Sequence, residues 1–465
     1  MLSRPPSARP PLPHSMRRRL RYHRWMTKDA PHTDWLAPLM ARVDQGLPGL
    51  LHDFNAICDC GGRLAGSDSE RRAREYTLAR LAEAGHALPA GLSSRSWLQH
   101  VDYAGWQAGD CSLSLADGTP LACQPLLGSA PTPEGGLLVE TVDLGRGTEA
   151  DFRREAARLP GRLALVRHEY PFAPGHVHRR RKYEAARAAG AAGFVIAHAD
   201  PQASPTSGSS GRNGGEGIPA VATDHAGALR LAASAGAPVR LVVRGTDLRA
   251  DAATPMLDLP GPDPGDPQRV VLSAHLDGHP LGESAMDNAS GLAVVLALAR
   301  AVAPQMHAAS RGLHICLFTA EEWALAGSRE WLAAMTADER RRFVIDINLD
   351  TVGADPRLTA LTSGFAGLEP FVAAGAQAAG QTVAVHRPLM TNSDHANFAA
   401  HGIPALRLVA GFDDPASNVR HILTAQDTRD KVDAAALADA ARVAGALLWQ
   451  ALCATDEDMA SWHRR

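Results

Sequence analysis

Val270-Val271-Leu272-Ser273-Ala274-His275-Leu276-Asp277 is an apolar stretch of the chain that runs into a histidine and an aspartate. Two later apolar stretches, 313–318 and 343–349, are each followed closely by carboxylates. Stretches of this length, rich in β-branched and large apolar residues, are typical of buried strands. Segments 290–302 and 323–335 lie between them and have helical patterns, which gives the alternation of strand and helix found in α/β proteins. We therefore predict a doubly wound, mostly parallel sheet with helices on both faces.

Side chains of the types that bind metals follow these strands. The groups are His275 with Asp277, Asp287 in the next loop, Glu321 with Glu322, and Asp350. In doubly wound sheets the ligand crevice lies beyond the carboxyl ends of the strands, so we expect these groups to converge. Several carboxylates repel one another unless a cation offsets their charge, and carboxylates with an imidazole suit zinc. The sequence therefore predicts a metal site at this edge of the sheet.

Each acidic residue also has an ordinary structural explanation when it is considered alone. Asp287 could cap the helix that begins near Ser290. Thr319-Ala320-Glu321-Glu322 matches a capping box, in which both acids favour the helix dipole. Asp350 could cap the turn at Gly353. These explanations do not account for three strand ends that carry acids beside a histidine, so we favour the metal site.

Length and composition limit the other function classes. With 465 residues the chain is too long for one ordinary core. A formal net charge of −3 with interspersed signs gives no case for a nucleic-acid or acidic membrane partner, and the sequence indicates no membrane span. Six cysteines are scattered without a ligand framework, which favours reduced thiols and a cytoplasmic protein. A homodimer is compatible with these features of the sequence.

Changes in composition and in predicted secondary structure along the chain indicate its domains. They are a disordered or mis-started tail over 1–34, a segment over 35–117 that packs on the catalytic domain, an insert over 118–250 and a catalytic domain over 251–455. Short alternating runs over 95–165 predict antiparallel sheet, and a strand over 239–243 closes the insert. The glycine-rich stretch 204–217 is predicted to be a surface loop that does not pack.

Six motifs, in this order, resemble those of the dizinc aminopeptidase and plasma glutamate carboxypeptidase family of clan MH metallopeptidases. They are Ala274-His275-Leu276-Asp277, Ala285-Met286-Asp287-Asn288-Ala289-Ser290-Gly291, Phe318-Thr319-Ala320-Glu321-Glu322, Asn348-Leu349-Asp350, Ser393-Asp394-His395 and Asp427-Thr428. In the insert, 189–196 and 218–221 resemble a protease-associated domain, which makes the insert β-rich.

The resemblance implies a zinc-dependent exopeptidase, most simply an aminopeptidase acting on peptides. The roles it implies are His275 and Asp350 as ligands of one zinc ion, Asp287 as a bridge, Glu322 as a ligand of a second zinc ion, Glu321 as general base and Asp277 as the partner of His275. Glu321 would take a proton from the attacking water and return it to the leaving amine. His279 and Glu283, in the loop after Asp277, are candidates for the pocket lining or ordinary polar loop residues.

The chain departs from the family pattern at one ligand. Where the family has a histidine in His-Thr-x-x-Asp-Thr, this chain has Leu423. His421 lies two residues earlier and is a candidate replacement if the strand bulges locally; His395 is another. If neither binds, the site is a one-zinc hydrolase with His275, Asp287 and Asp350. The alternatives are a metal-depleted scaffold that acts as a binding protein, or another amide hydrolase.

Overall fold

The computed structural model describes residues 36–234, 236–263 and 265–465, so the predicted tail over 1–34 lies outside the described residues. The first part of the described chain forms three helices and one arm of a long β ribbon. Helices α1 to α3 span Leu36–Gln45, Leu47–Cys58 and Asp68–Gly85, and strands β1 and β2 span Arg95–Ser114 and Pro120–Leu121. Ser67 caps α3, because its hydroxyl accepts the N–H of Glu70.

The next part of the chain contains a separate five-stranded sheet with its own helices. Strands β3 to β8 span Gln124–Pro125, Leu137–Val139, Thr141–Asp143, Leu163–Arg167, Gly193–Ala197 and Ala220–Thr223, and helices α4 to α6 span Glu149–Glu155, Arg179–Ala188 and His225–Ala233. Of these strands, β4 pairs with the larger sheet and the other five form the smaller one. The order of this sheet is β3-β8-β7-β6-β5, in which β5 to β8 are parallel. The antiparallel pairing predicted for this region is wrong for β5 and β6. The reason is that α4 and α5 carry the chain back between successive strands, as parallel pairing requires.

The remaining part of the chain forms most of a larger sheet. Strands β9 to β15 span Val239–Leu259, Arg269–His275, Gly312–Phe318, Phe343–Leu349, Leu358–Leu361, Val383–His386 and Ala405–Ala410. Helices α7 to α13 span Ser290–Val302, Ala326–Ala333, Ala337–Arg340, Leu368–Ala378, His395–Ala400, Ala434–Cys453 and Asp456–Trp462. The order is β14-β13-β15-β12-β10-β11-β9-β1-β2, with β15, β12, β10 and β11 parallel at its centre. The predicted α/β class with a mostly parallel sheet is confirmed.

Strand β9 connects the two sheets. The segment 239–243, predicted to close the insert, is only the beginning of this strand, which continues into the larger sheet. It pairs antiparallel with β1 over nearly its whole length and then with β11. The smaller sheet is therefore held on a two-stranded ribbon that is continuous with the sheet carrying the predicted site.

Two helical segments form the centre of the core. Ala285–Ala308, which includes α7, and Ala434–Cys453, which is α12, are long and apolar enough to cross a membrane by length and composition. The sequence indicated no segment of this kind, which is wrong on length and composition. Of the most apolar 18 residues in each segment, 89% and 78% are buried inside the protein, so their apolar surfaces pack within the core, as expected for helices that are apolar all round.

Asp53, in α2, connects this helix with α3 and α7. Its buried carboxylate accepts hydrogen bonds from the Tyr76 hydroxyl at 2.6 Å, Arg80 Nε at 3.2 Å and Arg300 Nη1 at 2.5 Å. We expect Asp53→Ala to lower the free energy of unfolding by about 3–5 kcal/mol, because it removes the carboxylate that pairs with Arg300 and one of the two that pair with Arg80, which also contacts Glu83. Urea denaturation measures this. The exposed Asp68→Ala is the control, and equal stability of the two variants would contradict the prediction.

Candidate metal centre

The strand ends bring together the residues predicted for the first metal. His275 ends β10, Asp350 follows β12, and Asp287 lies in a π-helical turn over Ala285–Ala289 that leads into α7. Nε2 of His275 is 2.9 Å from Asp287 Oδ1 and 3.6 Å from Asp350 Oδ1. All three side chains are buried, and one ligand atom from each lies within 4.8 Å of the other two. Asp287 does not cap α7, whose N-cap is Ala289.

A second group of ligand atoms shares Asp287. His279, Asp287 and Glu322 meet the same 4.8 Å criterion, and His279 Nε2 is 2.5 Å from Glu322 Oε1. From the sequence, His279 was a candidate for the pocket lining or an ordinary polar loop residue. The signal that could have found it is its spacing of four residues from His275, because residues an even number apart in an extended segment lie on the same face.

A buried arginine and a glycine fix the loop that carries His279. Arg63 Nε donates to the carbonyl oxygen of Leu276 at 3.0 Å, and its Nη2 donates to that of Ser284 at 2.8 Å. A side chain at Gly62 would lie 1.9 Å from the carbonyl oxygen of His279. Only glycine therefore allows this close approach.

Asp277 positions the two glutamates. Its carboxylate oxygens accept the N–H groups of Glu321 at 3.0 Å and Glu322 at 3.2 Å. The predicted contact of this carboxylate with His275 is not made, since Nδ1 is 4.0 Å from Oδ1 and lies instead 3.0 Å from the carbonyl oxygen of Asp277. The imidazole is still held through Nδ1, which leaves Nε2 directed at the carboxylates.

Glu321 and Glu322 lie in a turn and not in a helix. Left-handed backbone conformations at Ala320, Ala324 and Leu325, with φ of 56°, 62° and 61°, delay the start of α8. The helix predicted from residue 323 therefore begins at residue 326, and the capping-box explanation is wrong. The turn presents both carboxylates to the same buried space.

Two buried groups hold the aspartates. Asp427 accepts the N–H of Met286 at 2.8 Å and that of Asp287 at 3.3 Å. Arg407, on β15, places Nη2 3.1 Å from Asp350 Oδ2. Burial alone would raise the pKa of Asp350, but Arg407 and then His275 hold it below its usual range. No motif in the sequence marks Arg407.

The charge distribution of the site calls for a cation. Burial, then repulsion by Glu322, raises the pKa of Asp287, and burial raises that of Glu321 well above its usual range. Nε2 of His275 faces Asp287 and Nε2 of His279 faces Glu322, and these carboxylates help to raise the pKa of both histidines against the opposing effect of burial. Imidazole nitrogens directed at buried carboxylates are a zinc-type donor set once a metal replaces the protons. The residues present thus fit two metal ions that share Asp287.

His421 is not brought into either ligand group within the described part of the chain. It ends a 3-10 turn over Asn418–His421, and Leu423 two residues later has a left-handed φ of 67°. The bulged extended segment that would have placed His421 at the family's ligand position is absent there. His395, in α11, is buried and also lies outside the groups.

Two models of known protein families match parts of this chain. Residues 256–448 match the family model of Peptidase family M28, and residues 132–231 match that of the PA domain. Residues 256–448 are a peptidase family M28 domain. The five-stranded sheet is its PA insert, so the resemblance found in the sequence is confirmed.

Individual known proteins are similar to this chain. Aminopeptidase YwaD of Bacillus subtilis is 27% identical over 237 residues, which is 51% of this chain and 49% of that protein. The chain spans about half the length of the curated relatives it matches. A peptidase M28 precursor from Shewanella amazonensis has a TM-score of 0.72 at 22% identity, with 91% of this chain and 97% of that chain covered. BSAP, a zinc aminopeptidase from Bacillus subtilis, has a TM-score of 0.67 at 22% identity, with 87% of this chain and 95% of that chain covered.

A cavity of about 520 Å³ opens between the M28 domain and the PA insert, and Asp287, Glu321 and Glu322 are on its wall. Residues 206–210 of the glycine-rich stretch 204–217 are buried, which corrects the surface loop predicted for that part, whereas Asn213, Gly215 and Glu216 are exposed as predicted. Ser207 is buried and donates its N–H to the carbonyl oxygen of Leu423 at 2.7 Å. Backbone pairing therefore packs a segment whose composition alone indicated a solvated loop.

Proposed function

We propose that this chain is a metal-dependent aminopeptidase that binds two zinc ions and hydrolyses peptide bonds. The observation that carries this proposal is the pair of ligand groups that share Asp287, with Glu321 beside both. The M28 match and the names of the relatives support the same chemistry. A metal-depleted binding scaffold would have no need for a buried base at this position.

His275, Asp287 and Asp350 would hold the first ion, and Asp287, Glu322 and His279 the second. The leucine side chain at 423 has no donor atom, whereas His279 Nε2 already lies 2.5 Å from Glu322. We infer that His279 supplies the imidazole that the family takes from the position of Leu423. Three protein ligands at each ion leave room for water and substrate.

Bound zinc supplies a Lewis acid that polarises a carbonyl and lowers the pKa of water to about 7. Glu321 supplies the proton transfer. One of its carboxylate oxygens lies within 4.8 Å of ligand atoms of His275 and Glu322, so it can take a proton from the attacking water and return it to the leaving nitrogen. Asp277 keeps this carboxylate in place through the N–H of Glu321.

Metal removal tests the proposal. We expect about two zinc ions per chain by elemental mass spectrometry. Hydrolysis of dipeptides and aminoacyl amides should be lost after chelation, restored by zinc, and absent with N-acetylated versions of the same substrates. The wild-type protein passed through the same treatment with zinc present is the control. A full rate without bound metal, or hydrolysis of the acetylated substrates, would contradict the proposal.

We also propose that the protein works in the cytoplasm without a nucleic-acid or membrane partner. Its near-neutral charge and six free cysteines support this. Fractionation of cells that express the untagged chain is the test, and recovery in the membrane fraction would contradict it.

A further inference from the structure

One wall of the cavity is built by the PA insert and carries positive charge opposite the metal centre. Arg179 and Arg180, the first two residues of α5, line the cavity, and so do the three histidines His168, His176 and His178. Burial lowers the pKa of His176 to about 4 and holds the pKa values of His168 and His178 well below the usual range. The charge on this wall at neutral pH therefore belongs to the arginines.

Arg179 is a buried cation that no carboxylate contacts, and the opposite charges that act on it, those of Glu322 and Glu321, belong to the metal centre. It is 6% exposed, and its Nε donates to the carbonyl oxygen of Ser209 at 2.8 Å. A side chain at Gly208 would lie 2.1 Å from its Nη2, so the guanidinium rests directly on that backbone. No carboxylate lies within 4 Å of the Arg179 or Arg180 guanidinium among the residues that the structure describes. Burial lowers the pKa of Arg179 to about 10, which still leaves it charged at neutral pH.

Arg180 extends the same positive wall. Its N–H donates to His178 Nδ1 at 3.2 Å, which caps α5, and its Nη2 is 3.4 Å from the carbonyl oxygen of Thr391 across the cavity. Arg407, which also lines the cavity, is different because its charge is offset by Asp350 at 3.1 Å. A buried cation that no carboxylate contacts is costly, and Glu321 and Glu322 act on these arginines only from a distance. An anionic group of the ligand is therefore the expected complement of Arg179 and Arg180.

We propose that Arg179 and Arg180 bind a carboxylate of the substrate close to the bond that is cleaved. This inference rests on the proposed aminopeptidase function and names its substrate class. A cavity of about 520 Å³ is in the range of small-ligand sites, about 300–1,000 Å³. A dipeptide carries its terminal carboxylate one residue from the scissile bond, whereas in a longer peptide that group lies farther away. An acidic side chain offers the same chemistry.

The test compares Ala-Ala, Ala-Ala-amide, Ala-Ala-Ala-Ala and Ala-Asp-amide as substrates of the zinc-loaded wild type and of Arg180→Gln. We expect kcat/KM of wild type to be about 10- to 100-fold higher for Ala-Ala than for its amide, the range of a charged hydrogen bond. A high rate with Ala-Asp-amide would assign the subsite to an acidic side chain as well. Arg180→Gln should lower kcat/KM for Ala-Ala and leave the amide unchanged.

Arg187→Gln is the matched control, because Arg187 lies on the same helix, pairs with Glu184 at 2.9 Å and is outside the cavity lining. Equal kcat/KM for Ala-Ala and its amide in wild type would overturn the inference, as would an equal loss for both substrates in Arg180→Gln. If no substrate is cleaved, the proposed function fails. Calorimetry with metal-free protein then tests the subsite separately, since tighter binding of Ala-Ala than of its amide must depend on Arg180.

Discussion

Replacement of Glu321 by glutamine is expected to lower kcat by about 100- to 10,000-fold, the usual range for loss of a general base. Glutamine has nearly the same shape, but it cannot take a proton from water. The backbone N–H of residue 321 would still donate to Asp277, so the turn that carries Glu322 should keep its position. Bound zinc per chain should therefore stay at the wild-type value.

Steady-state kinetics with one dipeptide, together with elemental analysis of the same samples, measures this. Glu70→Gln is a suitable control, because Glu70 is also a buried glutamate and its Oε1 is 3.3 Å from the Thr319 hydroxyl. It lies outside the ligand groups, and we expect little change in kcat. Hydrolysis at the wild-type rate in Glu321→Gln would remove Glu321 from the mechanism and leave the metal sites standing.

The part of this site that could be predicted depends on local pattern. Strands β10, β11 and β12 are mostly apolar stretches, and His275, Glu321 and Asp350 lie at the end of these strands or within three residues after it. Their parallel order then brings His275, Glu321 and Asp350 to one edge of the sheet. The α/β class, the carboxylate cluster and the need for a cation all follow from these facts.

The part that could not be predicted depends on residues distant in sequence. The path of the loop with His279 is set by Arg63, more than two hundred positions earlier, and by the absence of a side chain at Gly62. Arg407 reaches Asp350 only because β15 lies next to β12. Neither arrangement leaves a periodic signal in the sequence.

The direction of strand pairing in the insert could not be predicted from the sequence either. Its short alternating runs have the composition of strands whether the neighbours are parallel or antiparallel, so their pattern could not choose between the two. The two short helices α4 and α5 make the difference, because they reverse the chain between strands. In the stretch 204–217, serines and glycines predict a loop, while burial comes from pairing with Leu127 and Leu423.

Replacement of His279 by alanine is expected to reduce bound zinc from about two ions per chain to one. Removing a residue that only hydrogen-bonds to a metal ligand already costs about 10- to 100-fold in metal affinity, so removing a ligand itself should cost more. Glu322 would keep only Asp287 to share the second ion. Titration of metal-free protein with zinc measures both affinities. His421→Ala is the matched control, since that residue lies outside the ligand groups, and it should retain two ions.

The double variant His279→Ala with Leu423→His tests whether an imidazole at position 423 can replace the one lost at position 279. Leu423 lines the cavity together with Asp287 and Glu322, and its backbone is left-handed with φ of 67°. Histidine occurs in that conformation more often than leucine does, so the exchange should not strain the chain. If His279 replaces the family's ligand, a histidine at 423 should restore the second zinc ion that His279→Ala loses. Two tightly bound ions in His279→Ala alone would show that some other group completes the second site.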